Sequence, residues 1–207
     1  MVLVVTVRHQ VAIAGRITDA QTGTPITGAH VQITTGPAAW TDALASLAAV
    51  HGAAWATLQE RPDRRWTSVD GHYHFLDVPN GTYQLTASLP GSGSRYSTAQ
   101  VQASVARDGT GKIAMATADV ALPTTMITGR ITGPGLTPVA MATARLKGSG
   151  ETTYSDSQGR YRLSAIEAGT RAVQISAQGF QPAVNQAVLG QPGASQNLDF
   201  TLVPTGP

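Results

Sequence analysis

The chain has 207 residues, of which 42% are hydrophobic and only 13% are charged. This length accommodates two domains of about 100 residues each, and the apolar content is too high for a disordered chain. The net charge is +2 and there are no cysteines. Disulfides and thiolate metal sites are therefore excluded, and nucleic-acid binding, which needs a dense positive field, is disfavoured.

The first residues read as a β-strand and not as a signal peptide. The apolar run at residues 2–7 has no basic residue before it, and Arg8 and His9 end it. A signal peptide has a basic start and about 7–15 uninterrupted apolar residues. No segment of the sequence reaches the roughly 20 apolar residues of a membrane span. We therefore expect a protein without a Sec signal that is located in the cytoplasm or in a particle assembled there.

The sequence contains two tandem copies of one repeat unit. Three segments recur in the same order: AGRIT (14–18) as TGRIT (128–132), TPITGAHVQI (24–33) as TPVAMATARL (137–146), and GHYHFLDVPNGTYQL (71–85) as GRYRLSAIEAGTRAV (159–173). Self-similarity of this kind indicates tandem modules. We predict a first module at residues 1–123 and a second at 124–207.

Both copies have the pattern of β-strands. Hydrophobic residues alternate with polar ones, as at Tyr83, Leu85, Ala87 and Leu89, which is typical of half-buried strands. Turn signals rich in Gly, Pro and Asp separate these runs at intervals of roughly 8–12 residues, as in sandwiches and barrels. The sequence therefore predicts an all-β fold.

A helical insertion interrupts the first copy alone. Ile33 and Gly71 are 38 positions apart, whereas their counterparts Leu146 and Gly159 are 13 positions apart. We predict that the extra residues form a helical insert at about 36–62. Hydrophobic or aromatic residues there recur at steps of three or four, which makes one helical stripe. The stripe consists of Trp40, Leu44, Leu47, His51, Trp55 and Leu58.

Two interpretations of this stripe are open. The helix either lies on its own sandwich and covers an end or an edge, or it docks a protein partner. The candidate docking residues are Trp40, Leu44, Leu47, Trp55 and Leu58.

The order of motifs resembles the carboxypeptidase regulatory-like domain family. The shared features are a Gly in the first strand, a Pro and a Gly-Ala at the second, an Asp-Gly turn before Tyr-x-Phe, and a Pro-x-Gly-x-Tyr after it. In the first copy these are Gly15, Pro25, Gly28, Ala29, Asp70, Gly71, Tyr73, Phe75, Pro79, Gly81 and Tyr83. The second copy departs at Met141 and Arg171, where the Gly and the Tyr are missing. The resemblance implies two tandem transthyretin-like (Ig-like) antiparallel β-sandwiches, and it says little about function.

The stretch DGHYHF (70–75) is the strongest candidate for a metal site, because Asp70, His72 and His74 lie within five residues. The second copy has Arg160 and Arg162 at the two histidine positions. A guanidinium group cannot ligate a cation, so the shared property is a basic side chain on an exposed face. We therefore predict no metal site, and we find no catalytic residue and no cofactor-binding motif in the sequence.

Three arginines, Arg61, Arg64 and Arg65, follow the insert. They are compatible with a solvated helix end or with a grip on an acidic partner or phosphate, and we expect the former.

Two classes of function fit these observations. The first is a non-enzymatic structural or interaction protein, an accessory or decoration component of a larger assembly that contacts protein partners or copies of itself. A phage-like or contractile injection particle is one such assembly. The second is a binding module for carbohydrate or another cell-surface polymer, for which Trp40, Trp55 and Trp66 are the candidate aromatics. A zinc peptidase is disfavoured because no His has a Glu three residues later.

Overall fold

A computed structural model describes residues 9–58 and 61–206. The strand predicted at residues 2–7 lies outside the described residues. The chain divides into two compact units, Met1–Pro90 with Thr98–Leu122, and Gly91–Ser97 with Pro123–Pro207. Each unit consists of strands that form two sheets.

Within the described residues, unit 1 contains nine strands and the helix of the insert. In chain order they are β1 (Val11–Asp19), β2 (His30–Thr35), α1 (Ala38–His51), β3 (Arg64–Trp66), β4 (His72–Leu76), β5 (Gly81–Ser88), β6 (Ala99–Arg107), β7 (Ile113–Ala114), β8 (Ala116–Thr117) and β9 (Val120–Leu122). A short 3₁₀ helix, Gly52–Ala56, follows α1.

The core of unit 1 lies between two sheets. One sheet has the order β4-β1-β8, with β9 also paired to β1, and the other has the order β3-β2-β5-β6-β7. Ile13 and Phe75 point inward from the first sheet, Val31 and Leu85 point inward from the second, and all four are fully buried. Burial of such side chains stabilises the fold by roughly 1.5–3 kcal/mol each.

Unit 2 repeats this architecture without the helix. Its strands are β10 (Met126–Thr132), β11 (Thr143–Leu146), β12 (Thr152–Tyr154), β13 (Arg160–Ser164), β14 (Gly169–Ser176), β15 (Ala183–Leu189), β16 (Ser195–Asn197) and β17 (Phe200–Thr201), with a 3₁₀ turn at Pro134–Leu136. The two sheets have the orders β13-β10-β16, with β17 also paired to β10, and β12-β11-β14-β15. Their apolar faces form one core cluster.

The expectation of purely antiparallel sheets is wrong in one respect. The first strand of each unit pairs in parallel with the last segments of that unit, β1 with β8 and β9, and β10 with β16 and β17. These segments are interrupted where a carbonyl turns inward. The carbonyl oxygen of Ala118 accepts a hydrogen bond from the Tyr73 hydroxyl, and that of Leu198 accepts one from the Tyr161 hydroxyl.

The loop at residues 91–97 belongs to unit 2, whereas the sequence placed it in the first module. The backbone N–H and the hydroxyl of Ser94 donate to the Glu167 carboxylate at 2.8 and 2.5 Å. Arg95 Nε donates to the same carboxylate at 3.1 Å. These hydrogen bonds, with those from Ser94 the largest cause, lower the pKa of Glu167 to about 2. The loop is held by Glu167, which lies more than 70 residues away in the sequence, so the module boundary could not be predicted from sequence order.

Met141 occupies a left-handed turn position in unit 2. Its φ is 56°, and Gly28 at the equivalent position of unit 1 has a φ of 69°. A residue other than glycine is strained in this region by roughly 1–2 kcal/mol. We expect Met141→Gly to raise the free energy of unfolding by about 0.5–1 kcal/mol, since glycine also loses more backbone entropy on folding. Denaturant titration measures the change, and a stability equal to or below that of the wild type would contradict it.

Candidate functional site

The insert is not the single continuous helix that the stripe in the sequence predicts. The α-helix α1 starts after Pro37 and ends at His51, and residues Gly52–Ala56 form a 3₁₀ turn. A 3₁₀ helix has about 3.0 residues per turn and an α-helix about 3.6, so the Trp55 side chain points in a different direction from the stripe residues of α1. The stripe is thus divided into an α-helical part and a 3₁₀ part.

Trp40 anchors the insert to unit 1. Its side chain is 7% exposed, and its ring meets the ring of Tyr83 edge-on, with 6.0 Å between centroids. It is the single buried residue of α1, all of which the structure describes. Of the five candidate docking residues, Trp40 is therefore the one that cannot present its ring to a partner.

The other four candidates lie at the surface. Leu44 and Leu58 are half-buried, and Leu47 is 40% exposed. Trp55 is half-buried because the guanidinium of Arg61 lies 4.2 Å from its ring centroid. Because Trp40 is the one buried residue of α1, the helix packs against its own sandwich at its first turn and not over its full length.

The different exposure of these side chains predicts different effects on stability. Trp40→Ala is expected to lower the free energy of unfolding by about 2–3 kcal/mol, because it removes a buried ring and its contact with Tyr83. Leu47→Ala is expected to change it by less than about 0.5 kcal/mol, as for other surface substitutions. Thermal unfolding of the two variants measures this, and equal losses would mean that the helix packs along its full length.

The histidines of the DGHYHF stretch stand on the outer face of β4. His72 and His74 are exposed, whereas Tyr73 and Phe75 between them are buried. His72 Nδ1 lies 3.0 Å from Asp70 Oδ2. Across residues 9–58 and 61–206, no three His, Asp or Glu side chains are grouped as they would be around a metal ion.

Asp70 is held in its ionised form by local hydrogen bonds. The Ser68 hydroxyl donates to Asp70 Oδ1 at 2.5 Å, and the backbone N–H of His72 donates to the same oxygen at 3.3 Å. These bonds lower the pKa of Asp70 from 3.8 to about 2. They therefore fix the turn that leads into β4.

Replacing the main hydrogen-bond donor should shift this pKa. Ser68→Ala is expected to raise the pKa of Asp70 toward 3.8, as measured by NMR titration of its carboxyl carbon. Because the pKa is lower in the folded state, the contribution of Asp70 to stability is present above about pH 4 and is lost as the pH falls toward about 2. An unchanged midpoint in Ser68→Ala would contradict the assignment of this hydrogen bond as the main cause.

The arginine cluster after the insert is partly neutralised. Arg61 forms a two-point ion pair with the buried Asp63, Nε to Oδ1 at 2.8 Å and Nη2 to Oδ2 at 2.6 Å. Arg65 Nη1 donates to the backbone carbonyls of Arg61 and Arg64. The cluster is thus built into the fold, whereas the sequence favoured a solvated helix end.

Comparison with known proteins gives a family match over most of the chain. The family model of the carboxypeptidase regulatory-like domain matches residues 12–116 and 126–203. Among curated proteins, no sequence matches this chain significantly. Within the part of the chain that the structure describes, no helix has the length and apolar character of a membrane span.

Several solved structures resemble the chain at low sequence identity. The shaft pilin SpaA from Lactobacillus rhamnosus GG is 11% identical with a TM-score of 0.45, and the match covers 98% of this chain and 99% of SpaA. The minor pilin GBS52 from Streptococcus agalactiae is 13% identical with a TM-score of 0.34 and coverages of 94% and 96%. The TIE protein of Bacillus anthracis is 12% identical with a TM-score of 0.38, and this chain spans only 34% of its length. At these scores the likenesses carry no functional argument.

Proposed function

Because the chain belongs to the carboxypeptidase regulatory-like domain family, we propose that it is a non-enzymatic structural protein that docks onto protein partners in a larger assembly. The family match covers both units and accounts for their common architecture. It does not account for the insert, which only unit 1 carries. The observation that supports docking is the apolar side of this insert, which lies largely outside the core.

We define the docking face as Leu44 and Leu47 on α1 together with Trp55 and Leu58 in the segment that follows it. Val50, three residues after Leu47, widens this surface, since it is 82% exposed. Val50 lies beside the predicted stripe and not on it, so helical spacing alone does not point to it. Exposed apolar side chains that are grouped in this way mark interaction sites more often than isolated ones do.

The chemistry of the face favours a protein with a complementary apolar surface. Asp42 is the only Asp, Glu, Lys or Arg in α1. Attraction by charge is therefore weak, and burial of leucine and tryptophan side chains would supply the binding free energy. Trp40 holds the base of the helix, so the face is presented in a fixed position on unit 1.

A recovery experiment from the native source tests this proposal. The double variant Leu44→Ser/Leu47→Ser removes two side chains of the docking face. The matched control Val184→Ser/Val188→Ser removes two apolar side chains from β15 that are 53% and 65% exposed. We expect the wild type and the control to sediment with a large assembly and the docking variant to sediment alone. If all three sediment alone, or all three with the assembly, the proposal is wrong.

The finer form of the proposal is that the assembly is a phage-like or contractile injection particle. Electron microscopy of the recovered material tests this form separately, because particles of another shape would remove it and leave the docking proposal in place. Self-association is measured on the purified protein by sedimentation velocity. There, a dimer that Leu44→Ser/Leu47→Ser dissociates would identify a second copy as the partner.

A further inference from the structure

Each unit has a cleft at the open edge of its sandwich, and the two clefts share one equivalent corner. In unit 1 the cleft borders β3 and β4, which are edge strands of opposite sheets. Its volume is about 510 Å³. Its main lining residues are Arg61, Arg64, Arg65, Trp66, His74 and Leu76.

The cleft of unit 2 borders the equivalent strands, β12 and β13, and has a volume of about 740 Å³. Tyr154 and Arg162 line it at the positions that Trp66 and His74 occupy in unit 1. It extends across β10, where Arg130 also lines it. An aromatic and a basic side chain thus meet at the same corner of both units.

The cleft of unit 1 has unpaired positive charge. Arg61 is neutralised by Asp63, but Arg64 and Arg65 form no ion pair within the described residues. Arg64 Nε is also buried without a hydrogen-bond partner there. A buried donor without a partner is unfavourable, so the surroundings of Arg64 are not fully satisfied by the protein itself. Burial lowers the pKa of the neighbouring His30, and the Arg64 charge adds to this effect.

The cleft of unit 2 is also basic, but more weakly. Arg130, Arg160 and Arg162 form no ion pair within the described residues. Two carboxylates, Asp156 and Asp199, also line the cleft and accept hydrogen bonds from backbone N–H groups. Three arginines and two aspartates give this lining a formal net charge of +1, whereas the unit 1 lining has three arginines and no carboxylate.

The aromatic side chains at the two clefts are open to solvent. Trp66 is 53% exposed and Tyr154 is 59% exposed. A ring of this size exposed beside basic groups can stack on the apolar face of a sugar ring while the arginines pair with a carboxylate. The Trp66 ring also packs against the ring of His30, with 4.9 Å between centroids.

We propose that the two edge clefts are binding sites for an acidic polysaccharide, in which Trp66 and Tyr154 stack on sugar rings and the neighbouring arginines pair with uronic-acid carboxylates. Two similar sites on one chain suit a polymer with a repeating charge. Nucleic acid is disfavoured by the net charge of +2, since phosphate backbones are bound by many basic residues at once. This proposal is independent of the docking face on α1.

Binding to immobilised polygalacturonate tests the proposal, with dextran as the neutral polysaccharide and polyglutamate as the polyanion without sugar. The variants are Trp66→Ala, Tyr154→Ala and the double variant. The control Lys112→Ala removes a positive charge at the β6–β7 hairpin, at the opposite end of the sheet from β3. Each single variant should weaken binding by about tenfold or more, as for aromatic anchors at other interfaces, and the double variant should abolish it.

The proposal is supported if polygalacturonate binds, dextran does not, polyglutamate binds more weakly, and Lys112→Ala keeps wild-type affinity. It is overturned if polygalacturonate does not bind the wild type, or if the double variant binds as the wild type does. It is also overturned if polyglutamate binds equally well, because the sugar rings would then contribute nothing. Thermal unfolding checks that the variants stay folded, which is expected because both rings are exposed.

Discussion

Replacing Phe75 by alanine is expected to lower the free energy of unfolding of unit 1 by about 3–5 kcal/mol. The ring is completely buried and packs edge-on against Tyr73, with 6.0 Å between centroids. The guanidinium of Arg65 also lies over this ring, 5.5 Å from its centroid. Surrounding strands cannot close the resulting cavity without losing the pairing of β4 with β1, so the full cost of the cavity is expected.

The loss should be confined to the unit that carries the change. Leu163 occupies the equivalent position in unit 2 and is 3% exposed, which makes Leu163→Ala the matched control. Amide hydrogen exchange should show lost protection in β1 and β4 for Phe75→Ala, and in β10 and β13 for Leu163→Ala. If Phe75→Ala were as stable as the wild type, the placement of the Phe75 side chain in the core would be wrong.

Adding a methyl group at Gly15 or Gly129 is expected to be almost as disruptive. A Cβ at Gly15 would stand 2.1 Å from the carbonyl oxygen of Ala118, and one at Gly129 would stand 2.1 Å from that of Leu198. Both carbonyls are backbone atoms that accept a tyrosine hydroxyl, so they cannot move without breaking that bond. We expect Gly15→Ala and Gly129→Ala each to cost about 3 kcal/mol, at the upper end for overpacking.

Two glycines in open positions serve as controls for these variants. A Cβ at Gly109 in unit 1 or at Gly190 in unit 2 would meet no atom within 4 Å. Gly109→Ala and Gly190→Ala should therefore leave the denaturation midpoint almost unchanged. If Gly15→Ala were as stable as Gly109→Ala, the close contact between Gly15 of β1 and the carbonyl group of Ala118 would be refuted.

The local pattern of the sequence predicted much of the fold because strand alternation needs no knowledge of distant contacts. The pattern of exposed and buried residues along β4 is repeated along β13, as the two aligned copies imply. The parallel pairing of β8 and β9 with β1 could not be predicted in this way. Those segments have two and three residues, which is too short for a periodic signal, and their partner is about 100 residues away.

The candidate sites were predictable in part. Helical spacing placed Trp40 and Leu47 on one stripe, but spacing cannot show which part of the helix contacts the sandwich. In the structure the contact is at Trp40, which is buried, and Leu47 is exposed. The edge clefts were missed because they combine two strands of different sheets. A signal was present, since Trp66 and Tyr154 occupy equivalent positions in the two copies.

The central claim is that α1 contacts a protein partner, and site-specific photo-crosslinking in the native source tests it most directly. A photoreactive amino acid at Leu47 is compared with the same group at Val69, which is 84% exposed and lies outside the docking face. We predict that the probe at Leu47 forms a covalent adduct with one protein of the assembly and that the probe at Val69 does not. Equal labelling at both positions, or no adduct at Leu47, would contradict the claim.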